Sequence, residues 1–472
     1  MNTKQLRQKI LDLAIRGKLV PQDPNDEPAS VLLERIKAEK EQLIKEGKIK
    51  RGKKSTSTSD KPHYPFEIPN GWCWVTLAEI SNYGCCTNVA IDDIPNDAWI
   101  LELEDLEKDS ARILQRLTKS ERQIKGVRHS FKKGNVLYSK LRTYLNKVLV
   151  ADKDGSCTTE IIPFSLYGGI CAKYISFVLR SKYFVDYAIQ CGYGVKMPRL
   201  STTDAHNGLI PLPPLKEQLR IVRAIEEYIC TIDMIDNDKV ELLSLSSNLK
   251  NKILQFAISG KLVPQDPADE PAEELLRRIN PSAVPADKSH YRQLPNGWCC
   301  CRLGDLMDFQ SSLSYTKHDI MPTGIRIIRG GNVKDGRILL MEDDVFISTS
   351  LQNEASEIKK GDIIMVASTG SETLIGKTGF ADGNYPNSYI GAFLRIIRPK
   401  TNVMPQFINL VMNSAQFKKH IRKEAKGSNI NNVKKSTVID FIVPLPPYNE
   451  QCRIVEAIES INRRIDDIAE VL

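Results

Sequence analysis

The hydrophobic pattern of this 472-residue chain predicts two long helices, one near its middle and one at its C-terminus. Residues 215–259 contain no proline or glycine, and their apolar residues recur at alternating steps of three and four. The C-terminal segment repeats this spacing, with Asn462 interrupting one position. Heptad spacing is typical of helices that pair along a narrow seam. The predicted seam residues are Val222, Ile225, Ile229, Ile232, Val455, Ile458, Ile465 and Ile468.

Shorter apolar runs predict strands and helices elsewhere. Residues 134–138 and 361–366 each follow a Lys-Lys-Gly turn as a buried strand, and residues 161–164 and 393–397 predict further strands. A helix with Tyr174, Ile175 and Val178 on one face has a counterpart with Phe407, Ile408 and Val411. The expected fold class is therefore α/β (α+β).

Three segments occur twice, in the same order. Residues 10–29 and 253–272 are identical at 16 of 20 positions, the sequence PNGWC recurs at 69–73 and 295–299, and PLPP followed by EQ recurs at 211–218 and 444–451. About 140 unlike residues separate the second and third segments in each copy. This arrangement predicts one duplicated scaffold that carries two different inserts. It divides the chain into 1–67, an N-terminal helix and linker; 68–214, a first globular domain; 215–293, a central region with a long helix; 294–447, a second globular domain; and 448–472, a C-terminal helix.

The repeats also predict a circular arrangement. The central joint is one continuous segment, whereas its two halves lie at opposite ends of the chain. The N-terminal and C-terminal helices together would then match the central helix, which at about 40 residues is roughly 60 Å long. An antiparallel coiled coil of two such rods, related by a pseudo-twofold axis, would hold the two globular domains at a fixed separation. Two unrelated amphipathic helices are the alternative.

The net charge of +8 becomes informative through its distribution. Residues 112–147 contain eleven Lys or Arg and one acid, Glu121, and residues 418–435 contain seven and one acid, Glu424. Each run lies within one insert. A single run of this kind is usually a solvated surface, but one in each insert favours contact with phosphates.

Neither a membrane location nor a metal site is expected. No apolar run approaches the roughly 20 residues that span a bilayer, and the charged N-terminus lacks a secretion signal. The 11 cysteines form no CxxC pair, and none of the 6 histidines stands at ligand spacing to them. Reduced thiols of a cytoplasmic protein are the expected state.

The repeated segments resemble the specificity subunit of type I restriction–modification systems. GKLVPQD, PNGW, the strand after Lys-Lys-Gly and PLPPxxEQxRIV are all duplicated, and the resemblance covers essentially the whole chain. It implies two target-recognition domains joined by two long antiparallel helices, each domain reading half of a split, asymmetric double-stranded DNA site. It also implies a complex with two methyltransferase (modification) subunits, docked through the helices, and two motor-nuclease (restriction) subunits. The Lys-rich residues 43–59 have no counterpart in the second copy and are expected to form an exposed linker.

Phosphate contacts position a DNA-binding domain, whereas contacts to base edges give it specificity. The divergent loops of the inserts supply polar and charged side chains for both kinds of contact. For each residue alone, ordinary loop polarity is an equally good explanation. The candidate DNA-binding residues are Lys140, Arg142, Tyr144, Lys147, Lys196, Arg199, Ser368, Thr369, Ser371, Glu372, Thr373, Lys426, Ser428, Asn429, Asn431 and Asn432.

No catalytic motif or cofactor site is predicted. The chain has no Asn/Asp-Pro-Pro-Tyr/Phe element and no GxGxxG sequence after a strand. Residues 370–378 resemble a phosphate-binding loop, but five residues separate the two glycines where that motif has four. A self-contained ATPase using this loop and a coiled-coil scaffold with non-specific basic inserts are the alternatives to a non-catalytic DNA-specificity subunit.

Overall fold

The computed structural model describes residues 2–49, 64–194, 196–287, 291, 294–310, 312–334, 336–353, 356–371, 373–425 and 431–471. They form two compact units, Met1–Asp238 and Lys239–Leu472. The boundary falls inside one long helix. The finer division into five segments stays a prediction.

The first unit contains seven α-helices, counting the long one, and ten strands within the described residues. In chain order they are α1 Thr3–Ile15, α2 Ala29–Lys45, β1 Cys73–Thr76, α3 Leu77–Ile80, β2 Thr87–Val89, β3 Trp99–Leu101, β4 Leu117–Thr118, β5 Arg128–Phe131, β6 Val136–Ser139, β7 Val148–Val150, β8 Gly155–Cys157, β9 Ile161–Phe164, α4 Ala172–Arg180, α5 Lys182–Gln190, α6 Thr202–Asn207, β10 Leu209–Leu212 and α7 Leu215–Ile258.

The second unit continues from the end of α7. Its elements are α8 Ala272–Ile279, β11 Cys299–Arg302, α9 Leu303–Leu306, β12 Met307–Gln310, β13 Ile320–Met321, β14 Ile325–Ile328, β15 Val333–Lys334, β16 Gly336–Ile338, β17 Val345–Ile347, β18 Ile363–Val366, β19 Ser368–Thr369, β20 Thr378–Phe380, β21 Ser388–Ile390, β22 Leu394–Pro399, α10 Pro405–Asn413, α11 Ala415–Glu424, β23 Asn431–Asn432, α12 Lys435–Ile439, β24 Ile442–Leu445 and α13 Tyr448–Val471.

The α/β class predicted from the sequence is confirmed. In the first unit the sheets are β1-β10, β2-β5-β8-β3-β4 and β7-β6-β9. In the second they are β11-β24, β12-β22-β18-β20-β16-β15, β13-β17-β14-β21 and β19-β23. The strands predicted after Lys-Lys-Gly are β6 and β18, and all four residues of each are buried.

The repeated segments pair with each other at the base of each insert. β1 lies antiparallel to β10 with Cys73 opposite Leu212, and β11 lies antiparallel to β24 with Cys299 opposite Leu445. Each insert therefore leaves and re-enters the scaffold through one short two-stranded ladder. Because the ladder fixes both ends of each insert, the sequence between those ends can differ between the two units.

A buried hydrogen-bonded cluster links these ladders to the helices. In the first unit the carboxylate of Glu217 accepts from Trp72 Nε1 at 2.9 Å and from Gln22 Nε2 at 3.1 Å. In the second, Glu450 accepts from Trp298 Nε1 at 2.9 Å and from Gln265 Nε2 at 3.0 Å. Glu217 and Glu450 are each 1% exposed. The repeated Gln, Trp and Glu thus make the same bonds twice, and we call this set the joint cluster.

Each unit also contains an antiparallel helix pair. Arg7 of α1 pairs with Asp233 and Asp236 of α7 at 2.7 and 2.8 Å, while Gln22, after α1, reaches Glu217 near the start of α7. In the second unit Lys250 of α7 pairs with Asp466 late in α13, and Gln265, after α7, reaches Glu450 near the start of α13. The helix predicted over 215–259 is present as α7, which is 44 residues long and contributes to both pairs.

The predicted seam residues lie within the cores of the two units. Val222, Ile225 and Ile232 are buried with α1 residues such as Leu11, and Ile229 is partly buried against the same core. Val455, Ile458 and Ile465 are buried with Ile253 and Ala257 of α7. Ile468 is 62% exposed. The heptad stripe thus also packs against the inserts, because Tyr174 and Phe407 belong to the same two cores.

The helices of the described ranges differ from those that span a lipid bilayer. None is both long enough and apolar enough to cross one. The long helices instead carry charged residues along their length, as in α7.

Candidate functional site

Two loops of the first insert are joined by backbone hydrogen bonds. The strand-exit loop (residues 140–146) follows β6, and the helix-exit loop (residues 191–200) follows α5. The backbone N–H of Arg142 donates to the carbonyl of Pro198 at 2.7 Å, and that of Leu200 donates to Lys140 at 2.9 Å. The candidate residues from 140–144 and from 196–199, more than 50 positions apart in sequence, therefore lie on one surface.

The second insert repeats this geometry. Its strand-exit loop (described residues 367–371 and 373–374) follows β18, and its helix-exit loop (described residues 425 and 431–433) follows α11. The N–H of Val433 donates to the carbonyl of Ala367 at 2.8 Å, and β19 pairs with β23 with Ser368 opposite Asn432. The bond from Val433 to Ala367 corresponds to the bond from Leu200 to Lys140. Both inserts thus present the same pair of loops with different side chains.

The six candidates of the first insert are not equally available for binding. Tyr144 is 42% exposed, and Lys196 is also exposed. The Arg199 guanidinium already pairs with Glu160 at 3.0 Å. The Lys147 ammonium donates to the carbonyl of Leu103 at 2.6 Å, and burial lowers its pKa. Tyr144 and Lys196 are therefore the better placed to meet a ligand, whereas Arg199 and Lys147 have structural partners.

The backbone of Arg142 has a left-handed conformation. Its φ is +50°, and Asn146 at the other end of the same turn has φ of +54°. The Nε of Arg142 is buried with no hydrogen-bond partner among the described residues. Left-handed backbone at a residue other than glycine is uncommon and is concentrated at functional sites. This conformation fixes the turn that carries Tyr144.

Six candidates of the second insert cluster at the β19–β23 ladder. Ser371 and Thr373 share a hydroxyl–hydroxyl hydrogen bond of 2.9 Å, and the N–H of Ser371 donates to Thr369 Oγ1 at 3.2 Å. Ser368 is partly buried, and Asn432 opposite it is exposed. Asn431 is placed through its backbone in β23. The remaining candidates, Glu372, Lys426, Ser428 and Asn429, lie outside the described residues, as do residues 50–59 of the Lys-rich linker.

Large exposed side chains flank both loop pairs and were missed by the sequence analysis. Tyr193 and Met197 of the first helix-exit loop are 58% and 45% exposed. In the second insert Phe393 is 64% exposed, and its carbonyl accepts from the N–H groups of Ala367 and Ser368 at 2.9 and 3.1 Å. Exposed apolar side chains beside polar ones are typical of interaction surfaces. Tyr193 and Met197 lie within the divergent loop, so a search for large apolar as well as polar residues would have found them.

The loop that resembles a phosphate-binding motif has a different structure. Phosphate-binding loops end at the N-terminus of a helix, whose N–H groups face the anion. Here Thr378 begins strand β20, and Gly376, with φ of +74°, lies against Ile421. The described part of residues 370–378 therefore does not have the geometry that an ATPase of this type needs. No cluster of three His, Cys, Asp or Glu at metal-binding distance was found in the described ranges.

Comparison with known proteins gives a consistent result. Residues 295–470 match the family model for the type I restriction modification DNA specificity domain. The specificity subunit of the type I restriction enzyme EcoAI from Escherichia coli is 28% identical, over 97% of this chain and 88% of that protein. The EcoEI specificity subunit, also from Escherichia coli, is 27% identical over 98% and 90%. The resemblance to type I specificity subunits that the repeated motifs indicated is confirmed by the family model over residues 295–470 and by these relatives over nearly the whole chain.

Two solved structures share the fold of this chain. A chain from a type I R-M system, solved in a study of complex assembly and conformational transition, superimposes with a TM-score of 0.65 at 19% identity, covering 86% of this chain and 94% of that one. The HsdS subunit from Thermoanaerobacter tengcongensis gives 0.51 at 18% identity, with 86% and 93% covered. These likenesses confirm the predicted fold class.

Proposed function

We propose that this chain is the DNA-reading subunit of a type I restriction–modification complex and is not itself catalytic. Each unit reads one half of a split, asymmetric site in double-stranded DNA. The observation that carries this proposal is the paired-loop geometry, which occurs in both units with different side chains. A symmetric reader would carry the same side chains twice, whereas this chain offers Arg142, Tyr144 and Lys196 in one unit and Ser368, Thr369 and Asn432 in the other.

The chemistry of the loops fits base recognition in the major groove. Arg and Lys favour guanine, Asn favours adenine, and Ser or Thr can bond either. Tyr193 and Phe393 add apolar surface that can contact thymine methyl groups. Because the two sets of side chains differ, the two half-sites should differ in sequence.

Two modification and two restriction subunits complete the proposed complex. The helix pairs support the docking of further subunits, because α7 and α13 leave large apolar side chains at least half exposed, such as Leu245 (54%), Leu249 (50%) and Ile468 (62%). Exposed apolar residues on long helices suit docking by further subunits. The proposed modification subunits would supply the methyltransferase activity.

Gel-shift competition tests the proposed specificity. The methylated motif of the source genome gives the cognate duplex, and random-sequence duplex of equal length is the competitor. We expect the cognate duplex to compete at least 1,000-fold better at physiological salt, a typical ratio for specific DNA binding. Equal competition by both duplexes would leave only a non-specific basic scaffold.

A further inference from the structure

The two basic runs of the sequence differ in how many of their cations are ion-paired in the structure. In the first insert five cations of the run are ion-paired to acids that lie outside it. The pairs are Arg112–Glu107, Arg116–Asp152, Arg122–Asp105, Arg128–Glu102 and Lys132–Asp154, at 2.5–3.2 Å. Lys119 and Lys147 donate to backbone carbonyls at 2.7 and 2.6 Å. Most of the first run is therefore neutralised or held within the protein.

The described cations of the second run are not among the ion-paired residues. The ion pairs found among the described residues of the second unit use other cations, namely Lys250, Arg278, Arg302, Arg326, Arg329, Arg398 and Arg453. Lys435 lies over the ring of Phe309 at 5.4 Å. Within the described ranges, the cations of α11 have no acidic partner.

Helix α11 gathers four of these cations on one cleft. Lys418, Lys419, Arg422 and Lys423, together with Asn251 and Asn413, line an open cleft of about 610 Å³. Lys418 is partly buried there; burial lowers its pKa, and the charge of Arg422 lowers it further. Like charges held together without a counter-ion are unfavourable, and a bound anion would relieve this repulsion. We call this surface the α11 patch.

The matching helix of the first unit supplies a comparison. Ser181 caps α5 and Ser414 caps α11 in the same way, through the N–H groups of Phe184 and Phe417. Counting from these serines, Lys418, Lys419, Arg422 and Lys423 correspond to Val185, Asp186, Ile189 and Gln190. The first unit thus has no cation at any of the four positions. The charge of the α11 patch is a property of the second insert alone and not of the shared scaffold.

We propose that the α11 patch binds phosphates of the DNA backbone and anchors the second half-site. The inference rests on the proposed function. DNA is favoured over an acidic protein because α11 ends only seven positions before Asn431 in the sequence, and Asn432 pairs with Ser368 in the β19–β23 ladder. From Lys418 to Lys423 the helix rises about 7.5 Å, which is close to two base-pair steps of one strand at about 3.4 Å each. The first half-site would then depend more on base contacts, and the second more on salt-sensitive phosphate contacts.

Salt titration of DNA binding by the full chain tests the α11 patch. The slope of log K against log salt measures phosphate contacts, at about 0.9 per contact for duplex DNA. We expect K419Q/R422Q to reduce the slope by about 1–2 and to weaken binding of random and cognate duplex by the same factor. Lys419 and Arg422 are both exposed, so folding should be preserved, and K419R should retain the slope.

R112Q/K132Q is the control matched for net charge. Both residues are exposed and belong to the first run, but each is already ion-paired. Equal slopes for the two double variants would overturn the α11 patch while leaving the proposed function intact. Unchanged DNA binding with lost binding of the modification subunit would assign the patch to a protein partner instead. A wild-type chain with no preference for the cognate duplex would overturn the proposed function itself.

Discussion

The repeated glycines of the GKLVPQD segment make the same close contact in both units. Gly17 and Gly260, from the repeated GKLVPQD segment, have φ of +66° and +68°. A Cβ at either position would lie 2.2 Å from the Cγ of a proline, Pro69 or Pro295, in the repeated PNGW segment. Two motifs that are separated in sequence are therefore in contact. This contact explains why only glycine fits the first of them.

Gly17→Ala should destabilise the first unit more than Gly71→Ala. Both glycines have positive φ, but no heavy atom lies within 4 Å of a Cβ at Gly71. Left-handed backbone alone costs about 1–2 kcal/mol, and overpacking against Pro69 should add about 1–3 kcal/mol. Thermal melts followed by circular dichroism measure the difference. Equal losses of melting temperature would show that Pro69 moves aside without cost.

The joint cluster should make stability depend on pH. Burial raises the pKa of Glu217, and hydrogen bonds from Gln22 and Trp72 offset part of that rise; the same holds for Glu450 with Gln265 and Trp298. The folded pKa therefore lies above the unfolded value of about 4.3. The resulting stabilisation is fully present below the unfolded pKa and is lost as pH rises through the folded pKa.

Glu217→Gln should remove this pH dependence. The variant should also be less stable overall, because the Gln amide group would face a donor, either Trp72 Nε1–H or the Gln22 amide. Urea unfolding followed by tryptophan fluorescence between pH 4 and 7 gives the difference in unfolding free energy from wild type. A difference that stays constant with pH would mean that Glu217 titrates normally in the folded protein.

Among the secondary-structure elements, the sequence correctly predicted those that depend on local apolar spacing. The strands after Lys-Lys-Gly, the helices α4 and α10 and the extent of α7 all follow from apolar spacing and from proline or glycine at their ends. The state of the first basic run could not be predicted in this way. Arg122 is neutralised by Asp105, which is fully buried and 17 positions away in the sequence. Apolar spacings of two, three or four residues carry no information about a contact over that separation. Phe393 was missed because it belongs to a predicted strand and gave no polar signal.

The paired loops should control one half-site each. Tyr144→Ala and Lys196→Ala should relax discrimination in one half of the DNA site, and Asn432→Ala in the other, by about 1–3 kcal/mol for each lost base contact. Competition with duplexes carrying every single-base substitution measures this. Lys147→Gln is the control, because its ammonium already bonds the carbonyl of Leu103. Loss of specificity in both halves from one variant would mean that the loops do not read separately.

For the whole molecule, α7 is the element that both units share. Ile225 and Ile232 belong to the core of the first unit, whereas Ile253 and Ala257 belong to the core of the second. The unit boundary between Asp238 and Lys239 falls between these groups. Residues such as Val240, at 68% exposed, contribute to neither core. The middle of α7 is therefore the place where length can change without repacking either insert.

Insertion of one heptad at 238–239, with a matching heptad in the C-terminal helix, should lengthen the spacer between the half-sites. Seven residues add about 10.5 Å of helix, or about three base pairs at 3.4 Å each, and keep the heptad stripe within about 20° of its original face. The methylated motif of cells that express the variant reports the new spacer. The same heptad placed beside Gly47, an exposed turn residue after α2, should leave the spacer unchanged. A spacer that also stays constant after insertion in α7 would show that helix length does not set the distance between the half-sites.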